Sequence, residues 1–232
     1  MLPLKDTIRS RSFPAINYLL IALNAILFFL ELSLSENLRG QLLYVFGLVP
    51  AQFSLINPFS WIPLISHQFL HGGWVHFLSN IWVLYIFGDN VEDRMGSGRY
   101  LVFYLSGGIA AGLLQVFMSP QSQVPAIGAS GAIAAVMGAY FLFFPRARVI
   151  TLIPIFIIPW FTELPAVIFL GFWFITQFFS GVLSLGSSVG AETGGIAWWA
   201  HVGGFIFGLV LGKLFTLGRK TRGFYRDEQY PW

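Results

Sequence analysis

Ser130 sits between Gly128 and Gly131, where an uncharged loop carrying Pro120 and Pro125 gives way to a run of small apolar residues at 132–138. A serine hydroxyl is a weak nucleophile until a base within hydrogen-bond reach takes its proton. The chain has only 4 histidines. Two of them, His76 and His201, stand in apolar runs, where an ionisable side chain is costly and marks function. His76 is followed four residues later by Asn80, so one helix stripe carries an imidazole and a carboxamide. The chemistry open to this set is nucleophilic acyl transfer. Ser130 attacks, and His201 takes its proton and returns it to the leaving amine, an effect worth typically ~10²–10⁴-fold. The oxyanion needs donors where its charge develops, and the Ser130 backbone N–H, the Asn80 side chain and the His76 ring are available. Taken alone, Ser130 reads first as an ordinary helix N-cap, and the rest of the chain must decide.

No third member of a triad is visible. Asp89, Glu92, Asp93 and Glu163 map to the membrane face opposite the histidines, and Glu192 lies in a Gly/Ser-rich loop over 186–195. We therefore expect a Ser–His dyad whose imidazole is oriented by a backbone carbonyl or a water. A metal site is the competing chemistry for His67, His71, His76 and His201. Against it, the chain has no HExxH motif, no acidic residue adjacent in sequence to these histidines and no cysteine. Neither metal nor cofactor is expected.

The elements that must position these side chains follow from the composition. Of 232 residues, 56% are hydrophobic and 10% charged, whereas soluble domains carry about 25% charged residues. Mean hydropathy is +0.73. This is the pattern of one multi-pass membrane domain. The isoelectric point near 9.3 does not indicate nucleic acid, because the basic residues are scattered singly between apolar runs and act as topology signals. Six spans are expected, at 15–34, 73–88, 100–118, 130–144, 164–183 and 198–217. The first is about 20 residues long, more than the ~7–15 of a signal-peptide core, and is read as a retained span. The result is an all-α, six-helix membrane domain over 15–217, with a cytoplasmic segment at 1–14 and a basic tail at 218–232. The 35–66 connection, with Trp61 and Asn57-Pro58, reads as an interfacial loop. Residues 149–160, broken by Pro154 and Pro159, read as an interfacial or partly buried connector. With the N-terminus inside, all of the 13 Lys and Arg except Arg39 face the cytoplasm. The expected location is the cell's plasma or inner membrane, with the site opening to the outer face.

The fourth span is short. Fifteen residues give roughly 22 Å against a hydrocarbon core of roughly 30 Å, which sets Ser130 about 8 Å below the outer boundary. Irregular backbone at that depth must lie within protein or beside water. Counting back from the inner ends of their spans brings His76 and His201 to the same layer. Ala200, Gly204, Gly208 and Gly212 form a small-residue stripe on the last span, and Ser130, Ala134 and Gly138 form another on the fourth. Two such stripes pack backbone against backbone and bring Ser130 towards His201.

Three motifs in this order resemble those of the rhomboid family of intramembrane serine proteases. They are Gly128-Ala129-Ser130-Gly131 (GxSG), His76-Phe77-Leu78-Ser79-Asn80 (HxxxN) and Ala200-His201-Val202-Gly203-Gly204 (AHxxG), over about residues 15–217. His71 matches a histidine often found just before HxxxN. The resemblance implies Ser130 as nucleophile, His201 as base, and His76 and Asn80 as oxyanion or water-binding groups. Substrates would be transmembrane proteins cut near the outer face at small residues in easily unwound helices. It also implies that the fifth span, with Phe172-Trp173-Phe174 and Phe178-Phe179, and the loop after it gate entry, although these aromatics equally suit lipid contact. In two places the chain departs from some members. Ala134 stands where an aromatic packs on the catalytic histidine, and the first loop lacks a Trp-Arg pair. A catalytically silent relative that binds or escorts transmembrane clients is the alternative. A transporter would need paired intramembrane charges or inverted repeats, and neither is seen.

Overall fold

Long apolar runs free of interior proline become helices because each closes its own backbone hydrogen bonds, which a bilayer demands. The computed structural model describes residues 1–155, 158–185 and 196–218. Within them the α-helices are α1 (Ala15–Ser33), α2 (Glu36–Phe46), α3 (Pro63–Ser66), α4 (Trp74–Met95), α5 (Ser97–Met118), α6 (Ser130–Phe143), α7 (Ala166–Leu185) and α8 (Trp198–Leu211). The last continues as a 3-10 turn over Gly212–Thr216. Among the described residues, four segments are long and apolar enough to cross a membrane: Ala15–Ser33, Ser97–Met118, Ala166–Leu185 and Trp198–Thr216. α6 is apolar but shorter.

α4 runs past the expected end at residue 88, and its acidic last turns have a structural reason. The Glu92 carboxylate accepts from the Ile16 N–H (3.1 Å) and the Asn17 N–H (2.7 Å), capping α1, whose own N-cap is Pro14 with no capping side chain. An anion at a helix N-terminus satisfies free donors and meets the positive end of the dipole. Asn17 then accepts from the Tyr100 hydroxyl at 2.8 Å, tying α1, α4 and α5 together.

The expectation of an all-helical chain is corrected at one end of the bundle. β1 (Leu2–Asp6), β2 (Arg148–Ile155) and β3 (Ile158–Pro165) form an antiparallel sheet in the order β1-β2-β3. The segment expected as an irregular connector is the β2–β3 hairpin. Its β-branched and aromatic residues suit a sheet, and its prolines sit where they cost little. Pro154 pairs with Pro159 near the hairpin end, beyond the Val149–Leu152 stretch that β1 covers. β1 is pinned beneath the bundle: Trp82 donates to the Pro3 carbonyl (2.6 Å), and Asp6 accepts from the Tyr140 hydroxyl (2.5 Å) and the Asn90 amide (2.9 Å).

α6 lies at the centre, with every residue from Gly131 to Tyr140 buried. Its contact with α8 is backbone on backbone. A Cβ on Gly204 would overlap the Gly131 carbonyl oxygen, one on Gly208 the Ala135 carbonyl oxygen, and one on Gly138 the Phe205 carbonyl oxygen. The two small-residue stripes therefore set how closely the start of α6 approaches the start of α8.

Candidate active site

Ser130 is the first residue of α6. The preceding Ala129 is already in the right-handed helical region (φ −65°, ψ −12°) and, as an alanine, offers no capping side chain. The N-cap reading of Ser130 is thus corrected. Its Oγ turns away from the helix end to lie 2.8 Å from His201 Nε2. The first intrahelical bond runs from the Ile133 N–H to the Ala129 carbonyl, so the Ser130 N–H stands ahead of the ladder. Gly128 has φ +125°, and a Cβ there would lie 2.5 Å from His76 Nε2 and 3.5 Å from Ser130 Oγ. Imidazole and hydroxyl thus converge on the space left by the missing side chain. The loop is held by the Gly128 N–H, which donates to the His67 carbonyl at 2.9 Å.

Asn80 is buried one turn after His76, and its Nδ2 has no hydrogen-bond partner among the described residues. A buried donor left without a partner is costly. His71 packs beside His76, ring centroids 5.4 Å apart, and its backbone N–H bonds to the Glu31 carboxylate at 3.2–3.3 Å. Ser130, His201, His76 and Asn80 thus come from the N-terminal ends of α6, α8 and α4. Gly131 and Gly204 make the close contacts behind them.

The structure differs from expectation around His201. The partner of Nδ1 is the Gln177 side chain of α7, with Oε1 at 2.7 Å, where a backbone carbonyl or water was expected. Sequence reasoning missed Gln177, although it is the one carboxamide in a predominantly apolar span. Where some members of the resembled family carry an aromatic, and this chain has Ala134, the ring contact comes from α7 instead: the Trp173 ring lies 5.7 Å from that of His201, tilted by 35°. Trp198 meets the same ring edge-on at 6.2 Å. The α7 aromatics divide, with Trp173 and Phe174 packed inward on Phe205 and Phe172 and Phe179 exposed. Glu163 pairs with Arg148 at 3.8 Å, far from the histidines. Glu192 and the expected gating loop at 186–195 lie outside the described residues.

Residues 58–217 match the Rhomboid domain, the greater part of the chain and all of the Ser130–His201 geometry. The chain belongs to the rhomboid family. Rhomboid protease GluP of Bacillus subtilis is 36% identical over 126 residues, 54% of this chain and 24% of that protein. Rhomboid protein 1, mitochondrial, of Saccharomyces cerevisiae is 26% identical over 157 residues, 66% of this chain and 41% of that one. Presenilin-associated rhomboid-like protein A, mitochondrial, of Danio rerio is 31% identical over 97 residues, 40% of this chain and 25% of its own. The matches thus span well under two thirds of these relatives' lengths. As a rhomboid, the protein is a multi-pass membrane protein.

Proposed function

We propose that this rhomboid is an intramembrane serine endopeptidase that hydrolyses peptide bonds in or near transmembrane segments of membrane proteins. The observation that carries this is the 2.8 Å contact between Ser130 Oγ and His201 Nε2. Ser130 Oγ attacks the scissile carbonyl carbon while His201 Nε2 takes its proton. The oxyanion is met by the Ser130 N–H, the Asn80 Nδ2 and the His76 ring. The tetrahedral intermediate collapses, the C–N bond breaks, and His201 gives its proton to the leaving amine. Water repeats the cycle on the acyl-enzyme, with His201 again as base.

Six spans fit this reading: α1, α4, α5, α6, α7 and α8 with its 3-10 turn, the fourth starting at the nucleophile. With the N-terminus cytoplasmic, the sheet lies at the inner face and the site opens outward, as the distribution of Lys and Arg supports. α6, at roughly 21 Å, is too short for the roughly 30 Å core, so Ser130 meets substrate below the outer surface. The substrates are transmembrane proteins, reached within the bilayer of the plasma or inner membrane. A fluorophosphonate probe tests the nucleophile: it labels the detergent-solubilised protein at Ser130, and labelling retained in Ser130→Ala sinks the assignment.

A further inference from the structure

The proton on His201 is fixed by a chain of hydrogen bonds that begins at a backbone carbonyl on α7. The Thr176 hydroxyl lies 2.6 Å from the Trp173 carbonyl oxygen, which can only accept, so the hydroxyl donates there. Its oxygen is then the acceptor for the Gln177 amide nitrogen at 3.1 Å. With the amide nitrogen turned to Thr176, Oε1 faces His201 Nδ1 at 2.7 Å. A carbonyl oxygen only accepts, so Nδ1 must carry the ring proton. The lone pair is left on Nε2, facing the Ser130 hydroxyl at 2.8 Å. The opposite amide orientation would press an NH₂ donor on Nδ1, move the ring proton to Nε2 and remove the base.

We propose that Gln177 is the positioning residue of this active site. Together with Thr176 it selects the Nδ1–H tautomer of His201 and holds the ring towards Ser130. The inference rests on the Ser130–His201 reading and deepens it. Three features make the arrangement specific. Gln177 and His201 are both buried, so water does not compete freely for Nδ1. Gln177 is the only carboxamide in α7, a segment otherwise apolar enough to cross a membrane. Trp173, one turn earlier, covers the face of the same imidazole, so both supports of the base come from one helix. A neutral amide fixes the tautomer without adding a charge to a site among apolar helices, where an unpaired carboxylate would be costly. α7 is thus part of the catalytic apparatus as well as a wall of it: moving it away from α8 takes ring cover and tautomer control off His201 together.

The test is cleavage of a reporter transmembrane segment by wild type, Gln177→Leu, Gln177→Glu and Thr176→Val, with melting temperatures recorded for each. Leucine keeps the volume and removes the acceptor, leaving a buried N–H unpaired. That predicts a kcat about ten- to a hundredfold lower with KM little changed. Glutamate restores an acceptor for Nδ1–H and recovers part of the turnover lost in Gln177→Leu, at a lower melting temperature because its carboxyl is buried. Thr176→Val releases the amide orientation and produces a smaller loss, and it carries the test if Gln177→Leu does not fold. Nitrogen chemical shifts of the wild-type His201 ring read the tautomer directly and are expected to report a proton on Nδ1. A wild-type kcat in Gln177→Leu, a loss confined to KM, or a wild-type ring protonated on Nε2 overturns the proposal. Failure of the underlying dyad is separate: it appears as wild-type protein that takes up no fluorophosphonate at Ser130.

Discussion

Replacing Gly204 by alanine puts a methyl carbon where the Gly131 carbonyl oxygen already stands, one residue from Ser130. That methyl would stand 2.0 Å from the oxygen and ordinary contact begins at 3.4 Å, so α8 must back away from the start of α6 by about 1.4 Å to reach it. His201 lies three residues before Gly204 and moves with it, stretching a Ser130–His201 contact that is 2.8 Å at rest. A misplacement of about 1 Å at a reacting pair costs on the order of 10²-fold in rate. The stability change is smaller, because overpacking costs about 1–3 kcal/mol while alanine returns about 1 kcal/mol of helix propensity. The same stripe contains its own control. A Cβ on Gly212 comes no nearer than 3.3 Å, to the Ala139 methyl. Gly212→Ala should therefore cleave like wild type and melt at the same or a slightly higher temperature. The assay is cleavage of a reporter transmembrane segment by both variants, with thermal melts in the same detergent. Wild-type cleavage by Gly204→Ala, or equal damage from Gly212→Ala, would refute the claim that backbone-to-backbone packing sets the Ser130–His201 distance.

Three further outcomes follow. Gly128→Ala, forced into φ +125° with its Cβ 2.5 Å from His76 Nε2, should lose at least tenfold in labelling rate at Ser130, since the strain alone is about 1–3 kcal/mol; unchanged labelling contradicts the tight fit. Burial raises the Asp6 carboxyl to about 7, with Asp89 adding to the rise and the Tyr140 hydrogen bond opposing it. The folded state therefore holds a proton that the unfolded chain has released, and stability falls as pH rises from about 4 to about 7, by at most about 4 kcal/mol. Melts of Asp6→Asn should lack that slope relative to wild type and run higher above pH 7, and parallel curves would remove Asp6 as its source. Glu92→Ala strips the cap from α1 and should lower the melting temperature by about 4–8 °C, corresponding to ~2 kcal/mol; an unchanged melt means that the cap is dispensable.

How much of this was legible in the sequence depended on whether a residue's partner was local or remote. The approach of Ser130 to His201 followed from two small-residue stripes, because glycine at i, i+4 spacing leaves helices few other ways to pack. His76 and Asn80 on one face followed from helix periodicity. The hairpin at 148–165 did not, because an apolar run broken by two prolines looks irregular until the prolines are seen to pair past the end of β1. Its partner strand, Leu2–Asp6, lies more than 140 residues away and carries only a faint pattern of its own. The acidic residues closing α4 looked like a span terminus; they continue the helix because Glu92 finds the uncapped start of α1. Gln177 was visible as a lone amide in an apolar helix, but its target depended on how α7 sits against α8. Likewise, Ala134 registered as a missing aromatic, while Trp173 filled that place from another helix.

The central claim is that Ser130 acts as a nucleophile on a peptide bond within the membrane. The direct measurement is incubation of wild type and Ser130→Ala with a reporter transmembrane segment in proteoliposomes, with the cut site mapped by mass spectrometry. One cut near the outer face is expected from wild type and none from Ser130→Ala, which folds and melts like wild type. Equal cleavage by both, or none by a well-folded wild type across several helical substrates, would contradict it.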